Sequence, residues 1–278
     1  MRNSLILVLG GTGTVGGRVA ARLRAEGHRV RVATRHTEQR FDWADPGTWA
    51  GVLSGVPQLF VLLPDQTGLP EAFLPAARDA GVRRLVLHSD RGLDVMGYAH
   101  LQQTELAVRE SGLDWTIVRP DWFHQDFETF FRPAVVDGRL CVPVGEARQG
   151  FIDAGDIAAV EVAMFGRPDL IGEVIEVTGP RALSFGEAVA TIGRATGREI
   201  VFDGSEEGYR AVMRADGVPD EVVDALVAGF TALRDRGDTE PTGQVERILG
   251  RPGRDFADYV AAGAADGLWE GTSGPAAG

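Results

Sequence analysis

A run of glycines set between an apolar pentapeptide and a helical pattern narrows the choice of folds more than anything else in this chain. Leu5-Ile6-Leu7-Val8-Leu9 is followed by Gly10-Gly11-Thr12-Gly13-Thr14-Val15-Gly16 and then by amphipathic periodicity over residues 15–25. A short continuous apolar run ended by a turn signal reads as a strand buried on both faces. Glycines that leave such a strand and open a helix meet the context of a dinucleotide fingerprint. One glycine makes the tight turn, one lets the backbone approach a pyrophosphate, one lets the helix pack closely, and the helix N-terminus receives the phosphates. The spacing reads either as G-x-x-G-x-x-G on Gly10, Gly13 and Gly16 or as G-x-G-x-x-G on Gly11, Gly13 and Gly16, and both lead to the same ligand class. A glycine turn that binds nothing is the bland alternative.

Apolar runs at 5–9, 29–34, 58–63, 84–88 and 115–118 alternate with helical patterns at 15–25 and 69–80, and Gly27, Gly81 and Gly112 stand where helix ends want a positive φ. Regular alternation of this kind predicts an α/β fold, a Rossmann-type doubly wound parallel sheet. Past Pro120 the alternation breaks down and aromatics cluster. We read residues 1–120 as an NAD(P)-binding domain, 121–270 as a smaller α+β substrate lobe able to return elements to the sheet, and 271–278 as a disordered tail. Within the lobe, 174–177 reads as a strand, 184–196 as a helix capped by Ser184 with Glu187 three residues on, and 218–234 as another helix.

Composition narrows the partners. The 278 residues are 44% hydrophobic and 24% charged, which excludes a disordered, collagenous or membrane-spanning chain. All 28 basic residues are arginine, so no lysine exists for any lysine-based mechanism, and a net charge of -12 disfavours nucleic acid and anionic lipid as partners. Cys141 is the single cysteine, which precludes an internal disulfide and fits a reducing compartment. Five apolar residues are too few for a signal-peptide core, so a cytoplasmic protein without a membrane segment is expected.

At the end of the second strand, an NAD-preferring site would place an acid on the adenosine ribose. Here Arg35 stands there, with His36 and Arg40 nearby. A guanidinium makes bidentate charge-assisted bonds to a 2′-phosphate, which favours NADP (NADPH) as cofactor. Asp42 and Trp43 follow and are expected beside the adenine, with core packing the alternative for Trp43.

Several segments together resemble a known family: the glycine turn; Arg83-Arg84-Leu85-Val86-Leu87-His88-Ser89; residues 100–112 followed by Leu113-Asp114-Trp115-Thr116-Ile117-Val118-Arg119-Pro120; Trp122-Phe123-His124-Gln125-Asp126-Phe127; Phe151-Ile152-Asp153-Ala154-Gly155-Asp156-Ile157-Ala158; Thr178-Gly179-Pro180; and Ile248-Leu249-Gly250-Arg251. These are similar to the atypical short-chain dehydrogenase/reductases of the NmrA-like group, in the branch of ergot-alkaloid-type reductases. The resemblance implies that Leu62, Leu63 and Pro64 at the end of the fourth strand, and Ser89 at the end of the fifth, line the cofactor. It also implies either a reductase or a cofactor-binding sensor, since the group contains both. Members often carry Asn where this chain has Asp126.

The proton donor is the open question. Typical short-chain dehydrogenases use Tyr-x-x-x-Lys, but Tyr98 is followed at the lysine position by Gln102. Tyr98, His100, His124 and Asp126 are the candidate acids, with packing or capping as the alternative for each, and Asp153 is a further acid able to orient a cationic substrate. Hydride addition to an iminium carbon needs no acid at the acceptor atom. Trp122, Phe123 and Phe127, with Phe130 and Phe131, are expected to shape a pocket for a flat small-molecule substrate, or else to be core. The expected function is an NADPH-dependent reductase of an imine, enone or ketone intermediate. The alternatives are a non-catalytic NADP-binding redox sensor and a fold recruited to a non-redox step such as cyclisation.

Overall fold

The structure is a computed structural model that describes residues 4–270; the tail read as disordered, 271–278, lies outside the described residues. In chain order the elements are β1 (Leu5–Leu9), α1 (Thr14–Ala25), β2 (Arg29–Ala33), α2 (Trp49–Leu53), β3 (Gln58–Val61), α3 (Phe73–Asp79), β4 (Arg84–His88), α4 (Ala99–Glu110), β5 (Asp114–Pro120), α5 (Arg132–Asp137), β6 (Arg139–Cys141), α6 (Ala154–Met164), β7 (Glu173–Val177), α7 (Phe185–Thr196), β8 (Val201–Asp203), α8 (Glu206–Ala215), α9 (Asp220–Arg236), α10 (Gln244–Leu249) and α11 (Phe256–Ala265). They fall into two compact units. The first takes residues up to 120 together with 154–177 and 242–252, and the second takes 121–153, 178–241 and the chain from 253 onward.

The first unit is built on a six-stranded parallel sheet in the order β2-β1-β3-β4-β5-β7. From β1 the chain steps to one side for β2 and then crosses back to the other for β3. The strand order therefore reverses at β1, and in doubly wound sheets the ligand crevice opens at that reversal, beyond the carboxyl ends of the strands. Strands β1, β3 and β4 read as unbroken apolar runs because helices cover both faces, and Ile6 to Leu9, Leu59 to Val61 and Leu85 to Leu87 are fully buried.

Among the described residues, no strand forms between β2 and β3. Residues 41–53 instead turn through Asp45, which caps a short 3-10 turn by accepting from Gly47 N–H, and then enter α2. Pro64 and Ser89 accordingly follow the third and fourth strands of this sheet, not the fourth and fifth. The helix expected over 69–80 is trimmed to α3, and Pro70 disfavours the helical region for Leu69 before it. The strand expected at 174–177 becomes β7 and pairs with β5, from Thr116 opposite Glu173 to Pro120 opposite Val177. Buried Arg84 ties the sheet to α6 by donating to the Leu85, Asp114 and Met164 carbonyls and to Thr116 Oγ1.

The second unit carries a small parallel pair, β6 with β8, and a set of helices. The capping box at α7 forms as its sequence requires, with Ser184 Oγ accepting from Glu187 N–H and the Glu187 carboxylate accepting from Ser184 N–H. Helix α9 runs two residues past the expected end and is preceded by a separate α8, capped by Ser205. Phe127, Phe151 and Phe185 form a buried aromatic centre. Among the described residues, no helix is long and apolar enough to cross a membrane.

Candidate functional site

The glycine turn lies at the carboxyl end of β1, and its glycines are there for different reasons. A Cβ on Gly10 would sit 2.7 Å from the Leu62 carbonyl oxygen, and Gly10 has φ +84°, so both space and backbone demand glycine. A Cβ on Gly16 would lie 2.2 Å from the Gly10 oxygen, so close packing of α1 on the turn demands it too. Gly11 packs against Val32 and Val8. Gly13 is the exception. Its φ is -83° and an added Cβ would meet nothing nearer than the Gly10 oxygen at 3.6 Å, so the protein's own packing does not need glycine there. The fingerprint does, because this is where the backbone must be open to a phosphate. Thr12, Gly13 and Thr14 are exposed and Val15 is buried in the first turn. No side chain caps α1 and no acid sits in its first turn, which leaves the first N–H groups and the positive end of the helix to an anion.

After β2, Thr37 Oγ1 accepts from Thr34 N–H, and Phe41 N–H donates to the Thr34 carbonyl, closing a loop that carries Arg35 and His36 exposed at its tip. Arg40 pairs with Asp42 at 3.5 Å. The next two candidates are committed to local structure. The Asp42 carboxylate accepts from Ala44 N–H, and the Trp43 ring packs edge-on against Phe41 and Phe73, with centroids 4.7 and 4.9 Å away. Trp43 thus takes the core alternative. Leu62 is half-buried, Leu63 is buried and Pro64 is exposed at the end of β3, beside Gly10.

Ser89 follows β4 and anchors a network that sequence reasoning missed. Its hydroxyl donates to Glu105 Oε1 at 2.6 Å, and Arg119 grips the same carboxylate from Nε at 2.8 Å and from an η-nitrogen at 2.7 Å. Arg109 adds a bond to Oε2 at 3.2 Å. Burial would raise the pKa of Glu105, but these donors hold it below the usual carboxylate range. Sequence contains one signal for the pair: Arg119 continues the apolar strand Ile117-Val118, and a cation in a buried strand needs a partner. Beyond it, Glu176 lies between Arg119 and Arg91 at 3.8 and 3.0 Å.

Tyr98 and His100 begin α4, their rings 5.9 Å apart and both half-buried. Burial, with the nearby negative charges of Asp90 and Asp65, pushes the Tyr98 phenol up to about 12. Gln102, at the lysine position, donates instead to Asp94 and the Leu93 carbonyl. The phenol therefore has the opposite of the lysine's help.

The remaining candidates belong to the second unit. His124 is completely buried, its Nε2–H donates to the Phe151 carbonyl at 3.1 Å, and its ring lies against Phe256 and Tyr259. Its Nδ1 stands 3.9 Å from the Asp153 carboxylate, which accepts from Gln125 and Arg254. This is a packed histidine with no exposed ring nitrogen to serve as a substrate acid. Asp126 accepts from Phe123 N–H and stabilises the turn that follows Phe123. Phe127 is fully buried among Phe131, Phe151, Phe185 and Phe256, so it is core and not pocket wall. Trp122 and Phe123 keep partly exposed rings, with Trp122 stacked on Phe230, and Phe130 is 71% exposed. Among the described residues no cluster of His, Cys, Asp and Glu could hold a metal ion.

A family model described as NAD(P)H-binding matches residues 10–168. The chain is 32% identical over 282 residues to the NAD(P)H azoreductase of Xenophilus azovorans, spanning 94% of this chain and 98% of that protein. It is 28% identical over 283 residues to the agroclavine dehydrogenase of Claviceps fusiformis, spanning 92% and 96% respectively. The crystal structure of NmrA, a negative transcriptional regulator, in complex with NADP has the same fold, with a TM-score of 0.75 at 17% identity over 94% of this chain and 95% of that one.

Proposed function

Because the chain belongs to the NAD(P)H-binding family, among the NmrA-like atypical short-chain dehydrogenase/reductases, we propose that it is an NADPH-dependent reductase of a small organic imine, enone or ketone intermediate in secondary metabolism. The observation that carries the cofactor reading is Gly13, a glycine that the protein's own packing does not require, at the uncapped start of α1. Oxidoreductase relatives, an azoreductase and an agroclavine dehydrogenase, support redox chemistry over a structural use of the fold.

Each group has a role in this reading. The N–H groups of the first turn, Thr14 to Gly16, and the α1 dipole would take the pyrophosphate, while the Gly13 N–H donates to the Gly10 carbonyl and closes the turn. Arg35, with His36, would take the 2′-phosphate. Leu62, Leu63 and Pro64 would wall the nicotinamide end and exclude water, with Ser89 as its polar contact. The bound cofactor supplies the hydride. Trp122 and Phe123 are the aromatic contacts proposed for the substrate. An acceptor that is already cationic, such as an iminium, needs no proton at the receiving carbon. That agrees with a phenol pushed up to about 12 at Tyr98 and a fully buried His124.

The test is calorimetric titration of NADPH and NADH, followed by NADPH oxidation against cyclic imines, enones, ketones and quinones. Tight NADPH binding with turnover is expected. Tight binding with no turnover on any acceptor would favour a sensor, and no binding would remove the cofactor reading. In the same assay Arg35→Ala should weaken NADPH at least tenfold, the scale of a lost charge-assisted bond of about 1.5–3 kcal/mol, and leave NADH within about twofold. Equal losses would end the case for the 2′-phosphate.

A further inference from the structure

We propose that Glu105 is a positioning residue that turns Ser89 into a hydrogen-bond acceptor only, matched to the donor groups of the cofactor's nicotinamide riboside. The proposal rests on the NAD(P)H reading above. A serine hydroxyl has one proton and two acceptor sites, and left alone it rotates to suit its partner. Here that freedom is gone. The proton is given to Glu105 Oε1 at 2.6 Å, and the carboxylate cannot return one, because Arg119 binds both of its oxygens and Arg109 adds a third cationic bond. The backbone is fixed as well, since Ser89 N–H donates to the Val118 carbonyl at 2.8 Å. What Ser89 has left to offer is lone pairs.

The position gives the lone pairs a use. Ser89 is the first residue beyond β4, two strands from β1 and one from β3, on the side of the strand reversal opposite β2 and Arg35. A dinucleotide whose pyrophosphate lies at the β1 turn and whose adenosine runs toward β2 sends its other half toward β3 and β4. The donors of that half are the carboxamide N–H and the ribose O–H groups. An acceptor-only serine suits them, and it cannot donate to a substrate carbonyl oxygen, which deepens the preference for an acceptor that needs no proton. The strength of the arrangement comes from burial: Glu105 is 3% exposed and Ser89 4%, so each bond is sheltered from water.

The experiment is a double-mutant cycle of Ser89→Ala and Glu105→Gln, read as NADPH affinity by calorimetry with adenosine 2′,5′-bisphosphate, which lacks the nicotinamide riboside, as the second ligand. Ser89→Ala should weaken NADPH about five- to tenfold, the size of one hydrogen bond, and leave the bisphosphate unchanged. Glu105→Gln should weaken NADPH when Ser89 is present and add nothing when it is combined with Ser89→Ala, whereas a purely structural glutamate would cost affinity for both ligands in both backgrounds. Ser89→Ala leaves the Glu105–Arg119 pair in place, so it tests the proposal even if Glu105→Gln does not fold. Equal effects of Ser89→Ala on the two ligands, or none on either, overturn the proposal. Wild-type protein that binds neither ligand overturns the cofactor reading itself.

Discussion

Adjacent residues at the end of β4 meet two buried glutamates under opposite conditions. His88, the last residue of β4, and Ser89, the first beyond it, reach Glu161 on α6 and Glu105 on α4. Both carboxylates are buried, and burial alone raises the pKa of each. Glu105 has Ser89, Arg119 and Arg109 as donors and ends below the usual range. Glu161 shares one bond with His88 Nδ1 at 2.6 Å, has no hydrogen-bond partner for Oε2, and ends above it. Depth does not decide the charge of a buried acid; the number of donors aimed at it does.

The strongest response follows from removing the well-served acid. Glu105→Ala leaves Arg119 half-compensated inside the first unit, and breaking a buried pair typically costs about 3–5 kcal/mol. Asp94 and Glu176 remain 3.7 and 3.8 Å from Arg119, so we expect the lower end, about 3 kcal/mol in urea unfolding. Glu161→Gln keeps the shape and should stay within about 1 kcal/mol of wild type near neutral pH. The reverse order of losses would undo the contrast between the two acids.

A finer prediction concerns pH. Glu105, lower in the folded chain than unfolded, gives stability that is present above the unfolded carboxylate pKa of about 4.3 and is lost as pH falls through its folded value. Glu161, raised on folding, gives stability that is full below about 4.3 and is lost as pH rises through its folded value. Melting curves of Glu105→Gln should therefore fall below wild type at neutral pH and converge with it in acid. Those of Glu161→Gln should gain on wild type as pH rises. Two parallel shifts would mean that neither glutamate titrates with folding.

Which of these features the sequence can disclose depends on how local their causes are. Gly10 to Gly16, the caps at Ser184 and Gly112, and strands β1 and β4 are set by neighbours within a few residues and are legible. Arg35 is legible because its place after β2 is counted from the glycines. Strand β7 is recognisable as a strand, but only tertiary pairing sends it to β5. Glu105 reads locally as a surface partner of Arg109 one helical turn on, since nothing nearby announces Ser89 and Arg119. Phe127 and His124 look like pocket residues until Phe151, Phe185, Phe256 and Tyr259 arrive from later in the chain and bury them. In the irregular stretch after Pro120, aromatic content carries no period that separates core from pocket.

The weakest response is expected at Tyr98, which shares the condition of Glu161. It is half-buried, faces the negative charges of Asp90 and Asp65, and has no lysine four residues on, so its phenol rises to about 12. A phenol held this firmly is a poor acid at neutral pH, and hydride delivery to a cationic acceptor does not call on one. Tyr98→Phe should change stability by no more than about 0.5 kcal/mol and leave NADPH oxidation by a cyclic imine salt within about threefold of wild type. A ketone makes the test stricter, because its oxygen must gain a proton and a positioned acid contributes roughly 10²–10⁴-fold to such a step. A hundredfold loss with the ketone alone would show that Tyr98 is its proton donor and would separate it from Glu161 as a group whose raised pKa is used, whereas a hundredfold loss with the imine salt would overturn the prediction.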